Sequence, residues 1–183
     1  LLHGGLLRKD LVLLAGDCGC GKSTFAANLA VNVALGRGWS EPETVLYFSN
    51  DSCRHVVLEK MIAAAGGAAV SDVRDAAFNC EQCKDLLEPA NRILEAPIFI
   101  VDRDYCHGFL QSMAGIVDGS CIPGCWNKHM SDPPGLIIVD HVLLVRDRSR
   151  RFRSGRQHWR SVLARLKLLA VENNAVVVAV VPV

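Results

Sequence analysis

Five short stretches of this chain are almost purely apolar, and longer amphipathic stretches separate them. Leu11–Ala15, Thr44–Phe48, Ile98–Val101, Leu136–Val139 and Ala175–Val181 are the five. A strand that alternates apolar with polar residues has one wet face, whereas a strand apolar throughout is covered on both. The intervening segments have helical spacing. From Lys22 to about Leu35, the residues Phe25, Leu29 and Val33 recur every four positions and predict the buried face of a helix. Ser52 is placed to cap a second helix through Ala65, with Val57, Leu58, Met61 and Ile62 turned inward. Gly36-Arg37-Gly38 and Gly66-Gly67 stop these two helices. Residues 68–95 predict two more helices, the second ending before Pro97. A last helix, from about Arg156 to Glu172, carries Trp159, Val162, Leu163, Leu166 and Leu169 on one side. Strand and helix therefore alternate. That order predicts an α/β fold, a mostly parallel sheet of about five strands with helices on both faces. Residues 104–134 break the pattern, with one helical stretch around Phe109–Val117 and then an irregular insertion rich in Gly, Pro and Cys.

In such sheets ligands sit at the carboxyl ends of the strands, and three of those ends carry chemistry. The first strand runs into Gly16-Asp17-Cys18-Gly19-Cys20-Gly21-Lys22-Ser23, followed by Thr24 at the start of a helix. This fits G-x-x-x-x-G-K-[ST] in the context that the motif needs, between strand and helix. Its glycines let backbone N–H groups converge on phosphate oxygens, and the helix adds the positive end of its dipole. Lys22 is expected on the β- and γ-phosphates and the Ser23 hydroxyl on Mg²⁺. Asp140 ends the fourth apolar run, the setting of the acid that holds the metal beside such a loop. The predicted ligands are ATP and Mg²⁺. Asp51 follows the second run and has the chemistry of a general base for an attacking water; an aspartate that merely shapes a turn reads the same way.

Composition adds bounds. A chain of 183 residues, half of them hydrophobic, suits one domain with a proper core. The chain begins at Leu1 and stops at Val183 on an apolar strand, so we expect a single domain cut at both ends from something longer. The formal net charge of +1 selects no partner, no apolar run reaches the length of a membrane span, and no signal peptide is visible. These features predict a cytoplasmic protein with no membrane partner. Eight cysteines do not have the spacing of a secreted disulfide framework. Cys80, Cys83, Cys106, His107, Cys121, Cys125 and His129 offer zinc donors, but Cys80 and Cys83 fall in a helical pattern and no second tight pair matches a zinc spacing. Reduced, mostly buried thiols are the expectation. Charge is nevertheless concentrated locally, with seven arginines against a single acid between Arg146 and Arg160. Arg148, Arg150, Arg151, Arg153 and Arg156, with Phe152 nearby, suit a loop that grips the backbone of single-stranded DNA, although a solvated basic loop has the same composition. Trp159 fits the apolar face of its helix.

The ordered set of segments resembles the RecA-like ATPase domain of the DnaB family of replicative DNA helicases, over nearly the whole chain. Gly4-Gly5-Leu6 through Gly16 is similar to the family's lead-in to its phosphate loop, and Phe25-Ala26-Ala27-Asn28-Leu29-Ala30 to the helix behind it. Val45 to Ser52 falls where the family has a strand ending in Phe-Ser-x-Glu-Met, whose glutamate is the catalytic base. Pro97–Asp102, Leu136–Leu144, Arg156–Ala170 and Ala175–Val183 resemble the later segments in order. The resemblance implies an ATP-hydrolysing motor in a hexameric ring on single-stranded DNA, with Asp51 as the base. Two positions depart from the family. Asp51 is one methylene shorter than glutamate, a deficit of about 1–1.5 Å, and displacements of that size cost ~10²-fold in rate. Pro182 replaces a glutamine that the family uses to sense the γ-phosphate. Both departures suit a competing reading, a decayed RecA-like domain that binds nucleotide as a scaffold with little turnover.

Overall fold

All five apolar runs are strands: β1 (Leu11–Gly16), β2 (Val45–Ser49), β3 (Ile98–Asp102), β4 (Leu136–Asp140) and β5 (Val176–Pro182). They form one sheet in the order β1-β5-β4-β2-β3, with every neighbouring pair parallel. Among the described residues the helices are α1 (Lys22–Ala34), α2 (Arg54–Gly66), α3 (Val70–Asp75), α4 (Cys80–Glu95) and α5 (Gly155–Glu172), with a 3₁₀ turn at Val142–Leu144. The computed structural model describes residues 5–37, 41–75, 80–102, 132–145 and 154–183. The helix expected at Phe109–Val117, most of the insertion, and Arg148, Arg150, Arg151 and Arg153 lie outside the described residues. Among the described residues, no helix is long and apolar enough to cross a membrane.

Successive side chains of a strand point to opposite faces, so each strand feeds two cores. On one face Leu46, Phe48, Ile137, Val139, Val177 and Ala179 meet Val162, Leu166, Leu169 and Ala170 of α5, and Trp159 packs at the margin. On the other, Val45, Tyr47, Leu136, Ile138, Val176 and Val178 meet α1, Val57 and Met61 of α2, and Ile93 of α4. The central strands β2 and β4 are buried at every position, as continuous apolar runs require.

Three local expectations need correction. The first concerns β1, which reads as a buried strand but lies at an edge of the described sheet: Leu11 packs against one core and Val12 and Leu14 against the other, only partly buried, while Leu13 is half exposed. The second concerns α1, whose buried face is Ala26, Ala27, Ala30, Val31 and Ala34, while Phe25 points to solvent at 57% exposure. Leu29 and Val33 pack only at the border of that face. A helix lying on the centre of a sheet needs small side chains at the contact, and four alanines supply them. The third concerns α2, where Ser52 is not the cap. Cys53 holds the N-cap position without a side-chain bond, and the Arg54 N–H donates instead to Asp102 Oδ2 at 3.1 Å.

Leu166 and Leu168 share α5 but not an environment, since Leu166 is fully buried and Leu168 is 54% exposed. Leu166→Ala should cost about 2–5 kcal/mol in a denaturant titration, and Leu168→Ala less than about 0.5 kcal/mol. Equal losses would contradict this placement of the core.

Candidate active site

The loop between β1 and α1 turns on glycines that adopt backbone angles other residues resist: φ is 80° at Gly19 and 88° at Gly21. Gly21 is the N-cap of α1, and no side chain caps the first turn or places an acid in it. That helix end therefore offers N–H groups to an anion. Gly16 has a different constraint, because a Cβ there would meet Cys20 Sγ at 2.8 Å. The Gly16 carbonyl accepts from Lys22 Nζ at 2.8 Å and from the Val183 N–H at 3.0 Å, and Asp17 O takes a second bond from Lys22 at 2.5 Å. Asp17, Cys18, Gly19, Cys20 and Thr24 are exposed around this concave turn. Pro182 ends β5 directly beside it, in register with Gly16.

Two strands across the sheet, β4 delivers Asp140 to the same place. Ser23 Oγ donates to Asp140 Oδ1 at 3.1 Å, although the two residues are 117 positions apart in sequence. Asp140 is 4% exposed, and its second oxygen is also engaged: the Tyr47 hydroxyl donates to Oδ2 at 2.8 Å. Burial first, then the neighbouring carboxylate charge and the bond to it, push the Tyr47 phenol far above the usual tyrosine range. It stays protonated at neutral pH and serves as a permanent donor. Hard oxygen donors converging in this way suit Mg²⁺, so Ser23 and Asp140 fit the metal.

Asp51 is exposed on the turn from β2 to α2, at the same carboxyl edge. The turn is closed by Ser49, whose Oγ donates to Ser52 O at 2.6 Å and accepts from the Ser52 N–H at 3.3 Å. Asn50, just before Asp51, bonds the Asp140 carbonyl through both its backbone N–H and its side chain. The structure thus brings the phosphate loop, Lys22, Ser23, Asp140 and the Asp51 turn to one edge. Of the arginines, Arg156 is described and lies exposed on the first turn of α5. Cys18, Cys20 and Cys53 are free, in keeping with reduced thiols, and exposed. The surroundings of Cys80, Cys83, Cys106, Cys121 and Cys125, on which the expectation of mostly buried thiols also rests, lie outside the described residues. No group of three or more metal-binding side chains is found among the described residues.

Comparison with known proteins now places the chain. Residues 1–182 match the model of the DnaB-like helicase C terminal domain. The chain belongs to that family. The replicative DNA helicase DnaB of Geobacillus stearothermophilus is 24% identical over 178 residues, which is 97% of this chain and 36% of the relative. The replicative DNA helicase DnaC of Bacillus subtilis (strain 168) is likewise 24% identical, over 97% of this chain and 36% of its own length. This DnaB-like chain therefore spans about a third of the curated relatives it matches. Among solved structures, a DnaB-like replicative helicase studied with its interactions with primase superposes at a TM-score of 0.73, with 19% identity, over 97% of this chain and 39% of that one. A second solved structure, of an ATPase domain, gives a TM-score of 0.72 at 19% identity, over 96% of this chain and 58% of that one. The fold is the RecA-like α/β arrangement that the resemblance implied.

Sequence reasoning passed over Tyr47, Asn50, Ser49 and Asp102. In sequence Tyr47 is one more bulky residue of an apolar strand, and only the register of β2 beside β4 reveals its partner. Its phenol ties stability to pH. The folded phenol holds its proton more tightly than the unfolded one, whose pKa is near 10.0, so this contribution is complete below pH 10 and falls as pH rises above it. The fall should approach about 1.4 kcal/mol per pH unit. A Tyr47→Phe protein should show a shallower decline than the parent in denaturant titrations above pH 10. Identical alkaline slopes would contradict the buried phenol–carboxylate bond.

Proposed function

We propose that this chain is the ATP-binding and ATP-hydrolysing motor core of a ring-forming replicative DNA helicase that acts on single-stranded DNA. The observation that carries the proposal is the 3.1 Å contact of Ser23 Oγ with Asp140 Oδ1 beside a glycine loop at a helix N-terminus. The relatives named as replicative DNA helicases supply the biological setting.

The backbone N–H groups of residues 16–24 take the phosphates, and Lys22 exchanges the Gly16 and Asp17 carbonyls for phosphate oxygens. The ammonium already sits inside the loop, so a side-chain rotation suffices. Ser23 and Asp140 hold Mg²⁺, with Tyr47 fixing the carboxylate from behind. When bound, the metal neutralises charge that develops on the phosphate oxygens. Asp51 orients the attacking water and accepts its proton. Its short side chain makes the backbone of residues 49–54 the determinant of its reach. Arg148, Arg150, Arg151, Arg153 and Arg156 supply charge for the DNA backbone, and assembly into a hexameric ring in the cytoplasm accounts for how hydrolysis moves that strand.

Lys22→Ala should abolish binding in a fluorescent-ATP titration, and undiminished binding would refute the phosphate-loop assignment. Asp51→Asn should bind ATP within a few-fold of the parent yet lose roughly 10²–10⁴-fold in turnover. In the intact protein, single-stranded DNA should stimulate ATP turnover; turnover indifferent to added strand would sink the motor reading and leave a nucleotide-dependent scaffold.

A further inference from the structure

The parallel ladder that joins β2 to β4 ends at the pair Ser49 and Asp140. Asn50 is the first residue beyond it, and its backbone N–H still donates to the Asp140 carbonyl at 3.1 Å. Its side-chain Nδ2 donates to the same carbonyl oxygen at 3.2 Å. One residue therefore fills both lone pairs of one oxygen. The ladder does not need the second bond, because the backbone N–H already satisfies that carbonyl. Nor is a buried amide a cheap way to fill space, since at 8% exposure its desolvation has to be repaid by hydrogen bonds. The side chain's distinctive effect is geometric: it fixes the torsions of the residue on which Asp51 is mounted.

The rest of the turn is held in the same manner. Ser49 closes it from within, and the Asp102 carboxylate, itself 5% exposed, holds its far end through the Arg54 N–H at 3.1 Å. Asp51 lies between these anchors, with only a short side chain to make up for a misplaced backbone. The geometry points to Asn50 as a positioning residue. It ties the backbone that carries the proton acceptor to the backbone of Asp140, so that the two carboxylates keep a fixed separation when either strand end shifts. This rests on the reading of Asp51 as the base.

The test is ATP turnover by the intact protein with Asn50→Leu, which keeps size and loses the donor. Asn50→Ala serves as a second variant with no bulk to misfit, and fluorescent-ATP affinity reports that each has folded. We expect kcat to fall about ten- to a hundredfold while KM and nucleotide affinity stay within about twofold. In an Asp51→Asn background, Asn50→Leu should cost nothing further, because the group it positions is gone. Parental kcat in both Asn50 variants, or an equal loss in both backgrounds, would overturn the inference while leaving Asp51 as base. Parental kcat in Asp51→Asn alone would remove the base itself, and the positioning role with it.

Discussion

One carboxylate governs the arrangement. Asp140 is buried at the end of a central strand, where an ionised group is tolerated only if its oxygens are bonded. Two hydroxyls meet that demand, Ser23 from the phosphate-loop side and Tyr47 from the neighbouring strand. The two bonds differ in kind. Tyr47 is fully buried on a strand inside the core, which makes its bond a fixture of the fold. Ser23 stands at the head of a helix beside an open loop, where the proposed function has hydroxyl and carboxylate share a cation.

That meeting depends on how closely α1 lies to the sheet. β5 separates β1 from β4, so Ser23 reaches Asp140 only if the helix crosses low over the strand ends. Ala26, Ala27, Ala30 and Ala34 make this possible, and their near-complete burial measures how tight the contact is. Larger side chains on that face would lift the helix and open the gap between hydroxyl and carboxylate. Core packing and site geometry are thus one constraint, and the exposed Phe25 is its visible consequence: the bulky residue is turned away from the sheet.

Much of this was legible in the sequence, for reasons that also mark where reading failed. Continuous apolar runs located all five strands because they leave no polar alternation to confuse the period, even at β1, where burial is incomplete. The glycine loop and Asp140 could be picked out because both stand at strand ends in a local pattern, and the structure brings Ser23 of that loop to Asp140. Tyr47, Asn50 and Asp102 could not. Each acts on a residue distant in sequence, through a strand register that no local pattern encodes. The cap of α2 was misassigned for the same reason, since its partner is a carboxylate 48 positions away and the adjacent serine is used within its own turn. Phe25 misled because helical periodicity marks an apolar face without telling a helix on a sheet from one at its margin.

The account stands on the joint use of Ser23 and Asp140 toward a divalent cation. Calorimetric titration of ATP, with and without Mg²⁺, into the parent and into Asp140→Asn tests it most directly. The account predicts that Mg²⁺ strengthens ATP binding to the parent by at least tenfold, about 1.4 kcal/mol, and leaves the variant's affinity nearly unchanged. The same gain from Mg²⁺ in both proteins would contradict it.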